Sequence, residues 1–193
     1  MARRREFDTE IALDRALQLF WRQGYEGTSI ADLTEAMGIT RPSLYAAFGN
    51  KEALFRRVLD RYAAGPTAYA RTALTEPSAR AAVERLLNEA ADLHAGDRNP
   101  RGCLLVHGAL ACAASDDFAR HETALWRNAA EAALRERLGQ AAAEGDLPPG
   151  ADPAALAAVV NTVIYGMSVQ ASGGATREAL RRIIDVALRA WPE

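Results

Sequence analysis

The stretch that decides the fold is residues 28–54, TSIADLTEAMGITRPSLYAAFGNKEAL. Ser29 can cap a first short helix, because Asp32 three residues later completes a capping-box pattern. Gly38 predicts the end of that helix, since the left-handed residue that closes many helices is least strained as glycine. Thr40 can then cap a second helix. Two short helices joined by a tight turn that contains glycine are typical of a helix-turn-helix.

Helical patterns continue on both sides of this stretch. Asp8 and Asn50 are predicted caps for the helices before and after it, and no segment shows the alternation of a β-strand. We therefore predict an all-α protein of about nine helices. Its N-terminal three-helix helix-turn-helix head is residues 1–50, and its larger helical body is residues 51–193. Helix 51–64 is expected to link the two.

Composition limits the class of protein. The chain has 193 residues, of which 49% are hydrophobic, and a net charge of −2, so any DNA contact must depend on locally placed charge. We find no signal peptide and no uncharged apolar run of 18 residues or more, which favours a cytoplasmic protein outside the membrane. Cys103 and Cys112 do not make a disulfide framework. The arginines at residues 3–5 form either a solvated tail or an arm that touches DNA.

Residues 20–54, FWRQGYEGTSIADLTEAMGITRPSLYAAFGNKEAL, resemble the TetR (tetracycline repressor) family of bacterial transcription regulators. The resemblance implies a homodimeric repressor that binds a near-palindromic double-stranded DNA operator and is released by a small-molecule effector. It also implies that the third helix of each subunit enters a major groove, with the two heads roughly 34–36 Å apart or a multiple of this. Ala46 and Ala47 depart from the family, since many members carry aromatic or histidine side chains there.

Seven residues are candidates for binding DNA. Arg41 can make a bidentate contact to guanine or, alternatively, a phosphate contact. Lys51 opens a helix, where the helix dipole disfavours a cation, so a phosphate is its natural partner. The resemblance also assigns phosphate contacts to Lys51 and Tyr45. The alternative for Thr28 and Thr40 is that they act only as helix caps. The candidates are Thr28, Thr40, Arg41, Pro42, Ser43, Tyr45 and Lys51.

The resemblance further implies an effector pocket in the body. The candidate wall residues are aromatic, aliphatic, histidine and cysteine side chains on helical faces, and ordinary core packing is the alternative for most of them. They are Phe55, Leu59, Tyr62, Leu87, His94, Cys103, Leu105, His107, Trp126, Tyr165 and Met167.

Cys103 leaves three interpretations open. It lies one helical turn before His107, but three metal ligands cannot be placed at a recognised spacing, so we predict no metal and no other cofactor. It also lies beside Arg101 at a predicted helix start, and both features would lower a thiol pKa and suit a sensor of oxidants or electrophiles. The third interpretation is a small buried hydrophobic residue.

The last two predicted helices form a short hairpin that could pair with a second copy in a four-helix bundle. Its candidate interface residues are Leu156, Val160, Val163, Met167, Leu180, Ile184 and Leu188, and the alternative is that they form core within one chain. No nucleophile elbow, phosphate-binding glycine loop or dense carboxylate cluster is present in the sequence, so an enzyme is not predicted. A helical interaction protein without operator binding stays open as an alternative function.

Overall fold

The computed structural model describes residues 7–110 and 118–192; the arginines at residues 3–5 and Cys112 lie outside these ranges. Within them the chain forms ten α-helices and no strand, which confirms the predicted all-α class. The helix beyond the predicted nine or so is a short one that follows a break at Gly65. The helices are α1 Thr9–Gln23, α2 Ile30–Met37, α3 Arg41–Phe48, α4 Lys51–Ala64, α5 Tyr69–Ala73, α6 Ala79–Ala95, α7 Leu104–Leu110, α8 Phe118–Ala143, α9 Pro153–Ser172 and α10 Arg177–Arg189.

The predicted caps of the helix-turn-helix are confirmed. The Ser29 hydroxyl accepts from the backbone N–H of Asp32 at 3.1 Å, and the Asp32 carboxylate accepts from the Ser29 N–H at 2.8 Å. Gly38 closes α2 in the left-handed conformation, with φ 70°. Thr40 caps α3 by accepting from the N–H of Ser43 at 3.3 Å. Local hydrogen bonding therefore specifies both helices and the turn between them.

The head and the start of the body share one hydrophobic core. Phe20 of α1 and Phe55 of α4 are fully buried, and their ring centroids are 5.1 Å apart. Tyr25 contacts the Phe55 ring at 5.0 Å and the ring of Phe118, the first residue of α8, at 5.3 Å. Because these four rings come from α1, the corner after it, α4 and α8, the head is packed directly onto the body.

A second core fills the body between α6, α8, α9 and α10. The predicted dimer-interface residues point into it, because α9 and α10 pack their apolar stripes against α6. Four of them are buried within the chain, and the other three are half-buried against the same core. The prediction that the buried four meet a second subunit is therefore wrong, and for the half-buried three it stays a prediction. The buried four are Val160, Met167, Leu180 and Ile184, and the half-buried three are Leu156, Val163 and Leu188.

Helix α9 corrects the expectation that the chain has no uncharged apolar run of 18 residues or more. Its 20 residues include no Asp, Glu, Lys or Arg, and among the described helices it alone is long and apolar enough to cross a membrane. Length and composition are weak evidence, since the core helix of a soluble protein passes the same test. Here α9 packs against α6, α8 and α10, which accounts for one side of the helix.

Candidate DNA-binding surface and body cavity

Helix α3 presents one face to the core and one to solvent. Leu44 is fully buried and Phe48 nearly so, and these two side chains anchor the helix on the head. Arg41, Pro42 and Tyr45 lie on the opposite side and are exposed. The exposed face therefore carries a cation, a rigid ring and a phenol hydroxyl within the first turn and a half, where they can reach a groove.

The polar groups of this face contact one another. The Arg41 guanidinium donates to the Tyr45 hydroxyl at 3.4 Å, and its central carbon lies 5.7 Å from the Tyr45 ring centroid. The hydroxyls of Thr40 and Ser43 are 2.9 Å apart. These bonds orient the Arg41 fork and both hydroxyls along the start of α3, which reduces the side-chain entropy lost on binding.

Lys51, the first residue of α4, is half-buried at the corner beside α1. Its ammonium lies 4.0 Å from the centroid of the Tyr25 ring, a cation–π contact that offsets the unfavourable helix dipole. Reasoning from the sequence missed this partner, because Tyr25 and Lys51 are 26 positions apart in the chain and no motif joins them. The contact fixes the position of the cation and leaves its predicted phosphate role a proposal.

Thr28 does not fit its predicted role. Its side chain is fully buried, and its hydroxyl donates to the carbonyl of Gly24 at 2.7 Å. The residue closes the corner after α1 and presents no hydroxyl to a phosphate. The predicted DNA contact is therefore contradicted, and a local structural role replaces it.

Two arginines that the sequence analysis did not single out hold the ends of α2 and α3. Arg15 donates to the Met37 carbonyl at the end of α2, at 3.3 Å. Arg57 donates to the Ala47 carbonyl near the end of α3, also at 3.3 Å, and its guanidinium lies 4.8 Å from the Phe48 ring centroid. Their acceptors are backbone carbonyls of other helices, so no sequence motif marks these arginines.

A cavity of about 230 Å³ lies in the body, between α4, α5, α6, α7, α8 and α9. Seven of the eleven predicted pocket residues line it. They are Leu59, Tyr62, His94, Cys103, Leu105, Trp126 and Tyr165. The cavity brings together residues that are more than 100 positions apart in the chain.

The other four predicted pocket residues lie elsewhere, and their assignment is wrong. Phe55 is buried in the aromatic cluster between head and body. Leu87 and Met167 are buried in the second core. His107 bridges α1 and α9, with Nε2 2.6 Å from the Ser172 hydroxyl and Nδ1 3.5 Å from the Trp21 carbonyl. All four residues lie at helical positions that are predicted to face inward. This spacing does not show whether an inward side chain lines a cavity or packs in a solid core.

The sequence missed several polar residues of the cavity wall, notably Tyr69, Arg127 and Asn161. Asn161 could have been noticed, since a polar amide inside the uncharged helix α9 calls for a structural or functional reason.

Burial lowers the pKa of His94 to about 4, with a smaller contribution from His107, so the imidazole is neutral at pH 7. Burial also raises the pKa of Tyr165, to about 12.

Cys103 behaves as a buried thiol. Burial raises its pKa, and the surrounding hydrogen bonds and Arg127 only partly oppose this rise. Arg101 instead donates to the carbonyls of Ala171 and Ala175, at 3.1 and 2.6 Å. The predicted lowering of the thiol pKa is therefore wrong, and the redox-sensor interpretation is not favoured. Among the described residues no group of three His, Cys, Asp or Glu side chains is placed to hold a metal.

The cavity wall is linked to the head through residues 102 and 103. Tyr62 donates its hydroxyl to the Cys103 sulfur at 3.3 Å, and its ring packs edge-on against Trp21 of α1, with centroids 4.8 Å apart. The Trp21 indole N–H donates to the carbonyl of Gly102 at 3.2 Å, and the Gly102 N–H donates to the His94 carbonyl at 2.9 Å. A displacement of Tyr62 or Cys103 would therefore reach α1 directly.

Two family models match the chain. Residues 12–58 match the model described as bacterial regulatory proteins, tetR family. Residues 79–187 match the model described as the tetracyclin repressor-like C-terminal domain. The first match covers the helix-turn-helix and the start of α4, and the second covers α6 to α9 and most of α10.

Individual proteins match over nearly the full length. The HTH-type transcriptional repressor ComR of Escherichia coli K12 is 41% identical over 191 residues, 97% of this chain and 90% of ComR. A cysteine mutant of the TetR family transcriptional regulator CifR, complexed with 26 bp double-strand operator DNA, is 44% identical with a TM-score of 0.93, over 98% of this chain and all of that one. A putative TetR transcriptional regulator from Rhodococcus sp. RHA1 is 43% identical with a TM-score of 0.61, over 96% of this chain and all of that one.

Proposed function

The chain belongs to the TetR family of bacterial regulatory proteins, and we propose that it is a homodimeric repressor that a small-molecule effector releases from a near-palindromic operator. Membership makes it a DNA-binding transcriptional regulator and not an enzyme. The observation that carries the proposal is the exposed, internally ordered face of α3 on a fully capped helix-turn-helix. The relatives add support, since ComR is named a repressor and the CifR structure contains operator DNA.

The proposed contacts to DNA come from the start of α3 and the start of α4. Arg41 reads a guanine in the major groove, and the Pro42 ring contacts a thymine methyl. Ser43 and Thr40 offer hydroxyls to a base edge or phosphate, and Tyr45 offers its hydroxyl to a phosphate. Lys51, held by Tyr25, contacts a phosphate beside α3.

The proposed division of labour places DNA binding in residues 1–50 and effector binding and dimerisation in residues 51–193. Helix α4 links them, since Leu59 and Tyr62 line the cavity while Phe55 packs on α1. An effector that fits the cavity best when Tyr62 has moved away from Trp21 would favour a DNA-incompetent arrangement. The protein would work in the cytoplasm, where the DNA is.

The proposed dimer uses the outer faces of α9 and α10. These carry exposed apolar side chains at Val159, Val169, Ile183 and Val186, with exposed fractions of 59%, 47%, 37% and 59%. Two such helix pairs from two subunits can form a four-helix bundle and bury these side chains. The dimer also explains why α9 is apolar on both sides.

The test of operator binding is fluorescence anisotropy with the DNA upstream of the protein's own gene, over a range of salt concentrations. Arg41→Ala is expected to weaken binding by about 1–3 kcal/mol and to relax base preference. Lys51→Ala should reduce the slope of log affinity against log salt by about one. Arg80→Ala, an exposed arginine at the start of α6, is the control and should bind as the wild type does. Failure of the wild type to bind this DNA in preference to unrelated DNA would contradict the proposal.

The two alternatives from the sequence are less well supported. A redox or electrophile sensor at Cys103 is opposed by the burial that raises its pKa. A helical interaction protein without operator binding does not explain the capped helix-turn-helix or the similarity to DNA-binding regulators.

A further inference from the structure

The wall of the body cavity is mostly apolar. Leu59, Leu105, Trp126 and the alanines of one α8 face supply most of it, so a hydrocarbon or aromatic body is what the space favours. About 230 Å³ suits a small organic molecule and is too little for a peptide or a nucleotide.

The charged residues that line the cavity have one sign. Among the described lining residues, Arg71 and Arg127 are charged and none is Asp or Glu. The Arg127 guanidinium is oriented by a hydrogen bond to the Leu105 carbonyl at 2.6 Å. Its charge reaches the Cys103 thiol and the Tyr165 hydroxyl, because burial raises both pKa values and Arg127 opposes the rise in both. Glu131 also acts on Tyr165, but more weakly and from outside the wall.

Two buried polar groups in the same wall have no partner in the described part of the chain. They are the side-chain amide nitrogen of Asn161 and Nδ1 of His94, in residues that are 5% and 1% exposed. A buried polar group without a hydrogen bond costs about 1–3 kcal/mol, so such groups in a cavity indicate a ligand or water that pairs with them. Asn161 precedes Tyr165 by one helical turn, so both side chains lie on the same face of α9, and both line the cavity together with Arg127.

We propose that this cavity binds a small apolar monocarboxylate, with its hydrocarbon or aromatic body against Trp126 and Leu59 and its carboxylate at Arg127 and Asn161. The proposal rests on the proposed function, since it names the chemical class of the effector. A carboxylate accepts hydrogen bonds in the plane that the guanidinium and the amide offer. An ammonium compound would meet two cationic lining residues and no acidic lining residue, and a neutral compound would bring no negative charge to Arg127.

Three matched compounds test this on the full-length wild-type protein by isothermal titration calorimetry. The compounds are naphthalene-2-carboxylate, naphthalene-2-carboxamide and 2-naphthylmethylammonium. They share one ring system and differ in the charge of the polar group attached to it. We expect the carboxylate to bind at least tenfold more tightly than the amide, and the ammonium compound to bind most weakly. An amide that binds as tightly as the carboxylate would overturn the proposal, and so would the lack of saturable binding by the carboxylate.

Arg127→Gln provides the second arm. It is expected to remove the preference for carboxylate over amide while amide binding persists, and the retained amide binding shows that the cavity is still formed. Arg135→Gln, an exposed arginine two turns further along α8, should leave the preference unchanged. Persistence of the full preference in Arg127→Gln would contradict the assigned role of this arginine.

A parallel titration separates the two proposals. Fluorescence anisotropy with the upstream DNA reports operator binding in the presence and absence of naphthalene-2-carboxylate. If DNA is bound and the carboxylate is not, the ligand class is wrong and the repressor function stands. If the wild type does not bind the DNA, the proposed function is wrong whatever the calorimetry shows. If the carboxylate binds and the DNA is retained, the ligand class stands and effector release by this class is wrong.

Discussion

At the scale of single residues, Gly102 joins the head to the body. Its φ of 87° is a conformation that side chains rarely adopt, and a Cβ there would overlap the Ser172 hydroxyl and lie 2.7 Å from His107 Nε2. Its carbonyl and N–H meanwhile hold Trp21 of α1 and His94 of α6. Glycine is therefore required by both conformation and packing at the point where cavity and head meet.

We expect Gly102→Ala to lower the free energy of unfolding by about 2–4 kcal/mol, from left-handed strain together with steric overlap. Gly145→Ala is the matched control, because Gly145 has a φ of 80° but no atom within 4 Å of its would-be Cβ. Gly145→Ala should lower the free energy of unfolding by the backbone strain alone, about 1 kcal/mol. Urea denaturation of both variants measures the difference, and equal losses would show that Gly102 is not tightly packed.

His94 predicts a loss of stability in acid. Burial holds its pKa near 4 in the folded chain against an ordinary value of 6.5, so below pH 6.5 the unfolded chain binds a proton that the folded chain does not. The contribution of neutral His94 to the free energy of unfolding is fully present above pH 6.5 and is lost as the pH falls towards 4. Between pH 7.5 and pH 5 this residue should account for about 2 kcal/mol.

Urea denaturation at the two pH values measures this loss. His94→Gln does not titrate and should lose about 2 kcal/mol less than the wild type over the same interval. His121→Gln removes an exposed histidine of α8 and serves as the control. An unchanged pH dependence in His94→Gln would show that the buried imidazole is not the group responsible.

At the scale of elements, the helix-turn-helix was predictable because its signals are local. Caps, a left-handed glycine and i, i+4 spacing depend on residues within one turn of each other, and the structure shows each where the sequence predicts it. The supports behind the same helices were not predictable. Arg15 and Arg57 bond carbonyls of other helices, and such bonds exist only once the helices are packed.

Ser29→Ala tests the local origin of α2. Loss of the capping box should destabilise the protein by about 1 kcal/mol, which for a chain of this size is about 2–4 °C in melting temperature. Glu35→Ala, an exposed residue of the same helix away from the cap, should change the melting temperature little. Circular dichroism melts measure both, and a Ser29→Ala variant as stable as the wild type would show that packing alone forms α2.

At the scale of the whole molecule, the outer faces of α9 and α10 are apolar surfaces that the single chain leaves exposed. The sequence predicted dimerisation through the same hairpin but assigned it to the stripe that packs against α6, because both sides of α9 are apolar and periodicity does not show which side faces the core. Packing decides the matter, since α6 and α8 cover one side and leave Val159, Val169, Ile183 and Val186 outside.

Val186→Glu is expected to convert the proposed dimer into a monomer, since a carboxylate would be buried without a partner in the bundle. Light scattering after size-exclusion chromatography measures the mass. Leu125→Glu, at an apolar position of α8 that is 51% exposed, is the control and should keep the mass of the wild type. A wild type of monomer mass, or a Val186→Glu variant that stays dimeric, would contradict the proposed interface.

By itself, the sequence determined the all-α class, the helix-turn-helix with its caps, and the resemblance that matched the family, because these depend on residues close together in the chain. The tertiary structure alone decided which side of α9 is core, that Thr28 is buried, and that burial raises the pKa of Cys103. It also decided which inward-facing residues line a cavity and which fill a core. The burial and the pKa of a side chain depend on residues that are distant in the sequence, and only the packed structure shows which residues those are.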